Sequence, residues 1–385
     1  MAALLPGPEA FQVFEIPLYE PCGQGEHLYV AIEKTGLTTD AVAAHLARAC
    51  AVKPTAVGWA GRKDRHAVTR QWFSIHHGCE EGLARLQISG LTVLAVSRHR
   101  NKLKPGHLCG NRFRLLLHQI DDHAGLERAA TRLWHGGLIN RYGDQRFGLH
   151  HANVGIARCL AGHDLAGAVR LAIDPTGDWR SGVAPPEHLH ASGPQGRMIR
   201  TLQRRPGDWQ AAWRAADKSF HRLIVNAGQS AVFNAVLAGR RATGLLYHPV
   251  QGDIVRRHGG GCFACPSAAL DELRPRCRPP QPEVLLTGPI PGRHRMRPSM
   301  VAAALEADWS RAAGFDPAWF GADGPLSAPG DRRCLISPLL SAPSLTRTGP
   351  DTATLELSLE RGSYATVALE ELSVTIPAKR RGEDA

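Results

Sequence analysis

Apolar and polar residues alternate in short runs near both ends of this chain, and they step at helical intervals through its middle. Leu28, Val30 and Ile32 share one side of a period-two run over residues 28–33, which predicts a strand with one buried face. Thr38, Thr39 and Asp40 then offer N-caps to a helix over residues 41–50. Residues 71–75 read as the next strand, and Phe113, Leu115 and Leu117 line one side of another, with Arg112 and Arg114 opposite. Asp122 is placed to cap a helix reaching Trp134, with Leu126, Ala129, Ala130 and Leu133 on its buried side. Near residue 160 the texture changes. Residues 174–178 and 182–196 are loop-rich, and Trp209, Trp213, Ala216, Phe220, Leu223 and Ile224 then recur at helical spacing. A further helix is predicted over 227–241, stopping near Gly244, while 275–299 read as loops. Leu355, Leu357 and Leu359 oppose Glu356, Ser358 and Glu360 in a strand with one wet face, and Gly362 breaks it before residues 364–372. A β-rich α/β (α+β) domain flanking a more helical middle is the predicted architecture, with no internal repeat.

The 385 residues suit two domains, or one large domain carrying an insertion, and 43% of them are hydrophobic, enough for a sizeable core. No apolar run approaches the length of a membrane span, and residues 1–8 lack the charged opening of a secretory signal. A soluble, cytoplasmic protein without an obligatory protein partner is therefore expected. Lysine and arginine total 46 against 35 acidic residues, a net charge of +11, which favours nucleic acid as a partner. A membrane surface suits it less, since no strongly amphipathic basic helix with bulky apolar residues stands out. Nine cysteines, an odd number without framework spacing, fit a reducing compartment.

Five segments carry residue types suited to chemistry or binding. Gly61-Arg62-Lys63-Asp64-Arg65-His66-Ala67 sets one carboxylate among cations. Neighbouring positive charge favours the ionised carboxylate and also attracts phosphates, so Asp64 suits a nucleophile or base acting on a nucleic acid. An exposed turn whose charges pair with one another is the alternative. Arg98, Arg100, Lys102 and Lys104 form a basic strip suited to phosphates. Residues 140–148 mix Asn140, Tyr142 and Phe147 with two arginines between glycines. Aromatics stack on unpaired bases, and amides and arginines bond base edges. Arg361-Gly362-Ser363-Tyr364 closes a predicted strand with another Gly-aromatic pairing. Cys262 and Cys265 form a CxxC, with His258 before it and Cys277 after it. Only one pair is tightly spaced, so metal-free thiols are expected. Phosphate-binding P-loop, dinucleotide and HExxH motifs are absent from the sequence.

Residues 61–72 resemble the catalytic motif of TruD-type tRNA pseudouridine synthases. Other segments follow in that family's order: Phe11-Gln12-Val13-Phe14-Glu15, Gly25-Glu26-His27-Leu28, Lys34-Thr35-Gly36, the basic strip ending in Gly110-Asn111-Arg112-Phe113, Asn140 to Gly148, Gly252-Asp253, Thr287-Gly288-Pro289, and Gly362-Ser363-Tyr364-Ala365-Thr366. The resemblance implies a pseudouridine-synthase catalytic domain with a mixed, largely antiparallel sheet, interrupted by a TRUD insertion domain. The catalytic part is placed at 1–160 and 340–385, the insertion at 161–339. It also implies conversion of uridine to pseudouridine in tRNA, at position 13 in bacterial members. The reaction needs neither redox chemistry nor hydrolytic water, so no cofactor and no metal are expected. Asp64 matches the catalytic aspartate, attacking the sugar or removing a sugar proton. Lys63, Arg65, His66, Asn140 and Tyr142 are the implied substrate-binding residues, with Lys63 on phosphate or on Asp64. Tyr142, at the base-stacking position, departs from the family's phenylalanine. Relatives acting on a different RNA, or an RNA-binding or chaperone role, are the alternatives. The cysteine–histidine cluster matches no family motif.

Overall fold

The structure, a computed structural model, describes residues 2–377 apart from 190, 281, 294 and 295. The chain forms two compact units: residues up to Leu138 together with those from Ser337 on, and Ile139–Ile336. The limits expected from texture, 160/161 and 339/340, differ mainly at the first. Helix Ala152–Ala161 packs on helices Leu165–Ile173 and Lys218–Ala242, which brings its segment into the second unit. An amphipathic pattern marks a helix but not the partner it buries against.

One mixed sheet of ten strands organises the first unit. Its main run is Leu339–Arg347, Ala353–Glu360, Leu108–His118, Phe11–Pro17, Val68–His76, His27–Lys34 and Leu91–His99. Within this run only Phe11–Pro17 and Val68–His76 are parallel, so the mixed, largely antiparallel expectation holds. The end of the chain thus supplies sheet strands. Leu355 lies opposite Leu115 and Leu357 opposite Phe113. Their buried face meets helix His123–Gly136 through Leu126, Ala130 and Leu133. On the wet face Glu356 lies 3.8 Å from Arg112 and 3.7 Å from Arg114, exposed pairs that add little stability. A second core joins Leu28, Val30, Ile32, Phe73 and Ile75 to Val42 and Leu46 of helix Thr39–Ala49, capped by Thr38. After Gly362, whose φ of 83° is left-handed, the chain forms helix Ala365–Glu371.

The second unit is built around helix Lys218–Ala242. The helical spacing from Trp209 to Ile224 is broken after Trp209–Ala215, because Asp217 caps a new helix. Its carboxylate accepts from the Ser219 hydroxyl at 2.6 Å and the Phe220 N–H at 2.9 Å. Those bonds and Arg197 hold the Asp217 carboxyl down at about 2. A depressed carboxyl stabilises the fold fully above its ordinary value near 4 and loses that contribution as pH falls through about 2. Asp217→Asn, which keeps an acceptor but no charge, is therefore expected to lower the melting temperature at pH 7 and to match the parent near pH 2. Circular-dichroism melts across that range are the check.

Strands Cys262–Ala264, Ile254–Arg257, Val284–Ile290 and Asp331–Cys334 form a small sheet in that order. Val284–Ile290 falls in a stretch expected to be loops. Its first six residues are all buried, so it lacks the alternation that reveals a half-buried strand. Two buried ion pairs, Arg240 with Asp253 and Arg332 with Glu306, brace the surrounding elements. Among the described residues no helix is long and apolar enough to cross a membrane.

Candidate active site

Loop 61–67 leads into strand Val68–His76, and the end of strand His27–Lys34 grips it. The buried Lys34 Nζ donates to the Asp64 carbonyl at 2.7 Å. The Gly36 N–H donates to the Arg65 carbonyl at 3.0 Å, and Arg65 Nε returns a bond to the Gly36 carbonyl at 3.0 Å. Gly36 has a φ of 75°, a conformation that glycine adopts without strain. On the other side of Asp64, the Lys63 N–H donates to Thr39 Oγ1 at 2.9 Å, and Thr39 Oγ1 donates to Gln71 at 3.2 Å. Gln71 completes the circuit by donating to the Gly61 carbonyl at 3.1 Å. The backbone around Asp64 is therefore fixed from two directions.

The cations expected to surround Asp64 turn elsewhere. Arg62 pairs with Asp40 at 3.2 Å on the surface. Lys63 Nζ reaches Glu15 at 2.6 Å, with side chains 4% and 1% exposed, rather than Asp64. Arg65 is held by Gly36, and His66 is exposed. Asp64 Oδ1 accepts from the His66 N–H at 2.7 Å, an Asx turn, and among the described residues its carboxylate enters no ion pair. A half-buried carboxylate with spare acceptor capacity sits on a fixed loop. Sequence adjacency misleads here because side chains in an aperiodic loop share no common direction. Glu15, whose charge claims Lys63, is distant in sequence and carries no spacing signal.

The basic strip divides. Leu103 is buried, its N–H donating to Ser74 Oγ at 2.9 Å, and the Gly106 N–H donates to the Ala60 carbonyl at 2.8 Å. That anchors the strip's loop beside Gly61. Lys102 is committed to the Thr55 carbonyl. Among the described residues Arg98, Arg100 and Lys104 enter no ion pair and stay open to a polyanion. Arg361 donates to the Gly106 carbonyl at 2.7 Å, so the late Gly-aromatic segment braces the same loop.

Asn140 and Tyr142 belong to the second unit. The Asn140 N–H donates to the Leu335 carbonyl at 2.9 Å and its Nδ2 to the Cys334 carbonyl at 2.9 Å. Arg333 donates to both the carbonyl and the side-chain oxygen of Asn140. Asn234 exchanges two 2.9 Å bonds with the Tyr142 backbone. The Tyr142 ring is buried, edge-on to Phe233, with Arg333 4.4 Å and Arg146 5.2 Å from its centroid. A base can stack on this ring only after a guanidinium shifts. Arg333 and Asn234 lie outside the motif and were not legible from it.

The cysteine segment spreads out. Cys262 accepts from Arg256 Nε at 3.3 Å, while Cys265 and Cys277 are buried. Burial pushes the Cys277 thiol up to about 11, helped by Cys265 and Asp253. Among the described residues, these thiols and His258 do not come within mutual ligand reach.

The fold, a largely antiparallel mixed sheet completed by the end of the chain, has a solved counterpart. The crystal structure of a protein from Methanosarcina mazei, assigned as tRNA pseudouridine synthase D, superposes with a TM-score of 0.77 over 97% of this chain and 94% of its own, at 23% identity. The family model for tRNA pseudouridine synthase D (TruD) matches residues 3–372, and the chain belongs to that family. Relatives named tRNA pseudouridine synthase D from Geobacter metallireducens and Geobacter sulfurreducens are 37% and 36% identical. They match over 94% and 95% of this chain and 92% of their own length in each case.

Proposed function

We infer that this chain isomerises uridine to pseudouridine in tRNA, at position 13, with Asp64 as the carboxylate that acts on the ribose. Family membership and relatives named for this activity support the reaction class. The observation that carries the residue assignment is the Asp64 carboxylate itself: half-buried, free of ion pairs among the described residues, and held on a backbone fixed by Lys34 and Gly36. The N-glycosidic bond breaks, the uracil turns and C5 bonds to the sugar, with the C5 proton passing to the freed nitrogen. The net change is zero in redox state and in water, so a positioned carboxylate is the minimal equipment.

The target nucleotide leaves its stack at a cost of a few kcal/mol. Arg98, Arg100 and Lys104 supply phosphate binding away from the reacting bond to offset that cost. Lys63 acts by positioning, its ammonium holding the loop through Glu15, and Arg65 and His66 border the substrate. The second unit is the proposed insertion domain and contributes to the choice of RNA. Asn140 orders its loop, and Tyr142 offers its ring for stacking on an unpaired base. Tyr142→Phe is therefore expected to keep single-turnover rates within about threefold, the size of a single modest contact. A loss of a hundredfold with unchanged tRNA affinity would instead assign the phenol to proton transfer.

Mapping pseudouridine in total RNA from cells with and without this protein tests the proposed function. The expected result is loss of the modification at tRNA position 13 alone. An unchanged position 13 overturns the target, and loss in another RNA class favours the different-substrate reading.

A further inference from the structure

A second cluster lies at the far end of strand His27–Lys34, about 23 Å along the strand from Lys34 at the usual rise per residue, apart from the residues assigned above to the isomerisation. His27 pairs with His76 in the antiparallel register, and one residue beyond it the Glu26 carbonyl accepts from the His77 N–H at 3.0 Å. Adjacent residues in a strand point to opposite faces. His77 escapes that rule with a left-handed φ of 53°, and its ring centroid lies 3.9 Å from that of His76. The preceding turn is fixed too: at Gly25, φ 123°, an added Cβ would come within 2.5 Å of the His99 backbone.

From this geometry we propose that Glu26, His76 and His77 bind a divalent transition-metal ion of the zinc type. Their donor atoms lie within 4.8 Å of one another, and His76 Nε2 is 3.4 Å from Glu26 Oε2. Two donors at ordinary zinc–nitrogen and zinc–oxygen distances on a tetrahedral ion stand about 3.4 Å apart, so this pair already has the required separation. Two imidazoles and a carboxylate form a donor set that suits zinc, cobalt or nickel, leaving a fourth position for water or an outside ligand. His27 adds an independent observation. It is 9% exposed, its ring centroid is 4.8 Å from that of His76, and its Nδ1 has no hydrogen-bond partner among the described residues. A metal-bound water on that side would supply one. A simple Glu26–His76 ion pair accounts for neither the turned His77 nor the unsatisfied Nδ1 of His27.

Cobalt(II) titration of the chelator-treated full chain is the test, read by visible absorption and by thermal melting. The proposal expects about one equivalent bound, with the intense d–d bands of a low-coordinate ion, no thiolate-to-cobalt charge-transfer band, and displacement by zinc. Melting temperature should rise with metal. Glu26→Gln and the double variant His76→Ala/His77→Ala should melt like the parent without metal, since the side chains are largely surface groups, and should bind cobalt at least tenfold more weakly. Absence of the bands in the parent overturns the site. So does full cobalt binding by the double variant, or a thiolate band that moves the ion to the cysteines.

Discussion

Glu15→Gln is expected to destabilise the first unit by about 3–5 kcal/mol, the usual loss when one partner of a buried ion pair is removed. Glu15 sits on strand Phe11–Pro17, opposite Asn111 of the neighbouring strand, and it is enclosed with Lys63 at 1% and 4% side-chain exposure. One of its oxygens accepts the Lys63 ammonium, and the other lies 3.4 Å from the Trp72 N–H. Glutamine preserves the shape and an acceptor but not the charge, so it strands an ammonium in a site with little access to water. The pair's net worth is a separate quantity, because two apolar side chains of similar volume often replace a buried pair at little cost. A Glu15→Leu/Lys63→Met double variant is therefore expected to recover most of the lost stability. Urea midpoints for the parent, the single and the double variant are the measurement. A single-variant loss below about 1 kcal/mol would contradict a buried, charged pair. Lys63 precedes Asp64, so the single variant should also lower activity at temperatures where it remains folded.

The same pair shows how far the sequence alone could reach. The alternating strands and the capped helices were largely legible, because alternation and capping side chains are local signals: Leu355, Leu357, Leu359 and Thr38 fall where expected, whereas Ser358, expected on the wet face, is buried. Val284–Ile290 was not, since burial on both faces erases the alternation. The break at Asp217 was written in its cap, but the aromatic spacing on either side masked it. At the site, the Asp64 loop was legible as a charged turn, while its wiring was not. Which carboxylate takes Lys63, which lysine holds the Asp64 carbonyl, and that Arg333 covers Tyr142 are all contacts between segments far apart in sequence. Charge adjacency predicted cations on Asp64; the fold instead spends them on Glu15, Asp40 and the Gly36 carbonyl.

Asp64→Asn isolates the proposed chemistry from everything that supports it. Asparagine keeps an oxygen for the His66 N–H, and the loop's other anchors, Lys34 to the Asp64 carbonyl and Gly36 to the Arg65 carbonyl, are backbone bonds that the substitution leaves in place. Fold and tRNA binding should therefore survive, the latter because the proposed phosphate contacts are Arg98, Arg100 and Lys104, which the substitution does not touch. What disappears is the negative charge needed to attack the ribose or remove its proton. The most direct measurement is a single-turnover assay on one unmodified tRNA, with affinity for the same tRNA determined alongside. The expected result is that Asp64→Asn lowers the rate of pseudouridine formation by about a thousandfold or more, with tRNA affinity unchanged within about threefold. Pseudouridine formed at the parent's rate by the folded variant would contradict it.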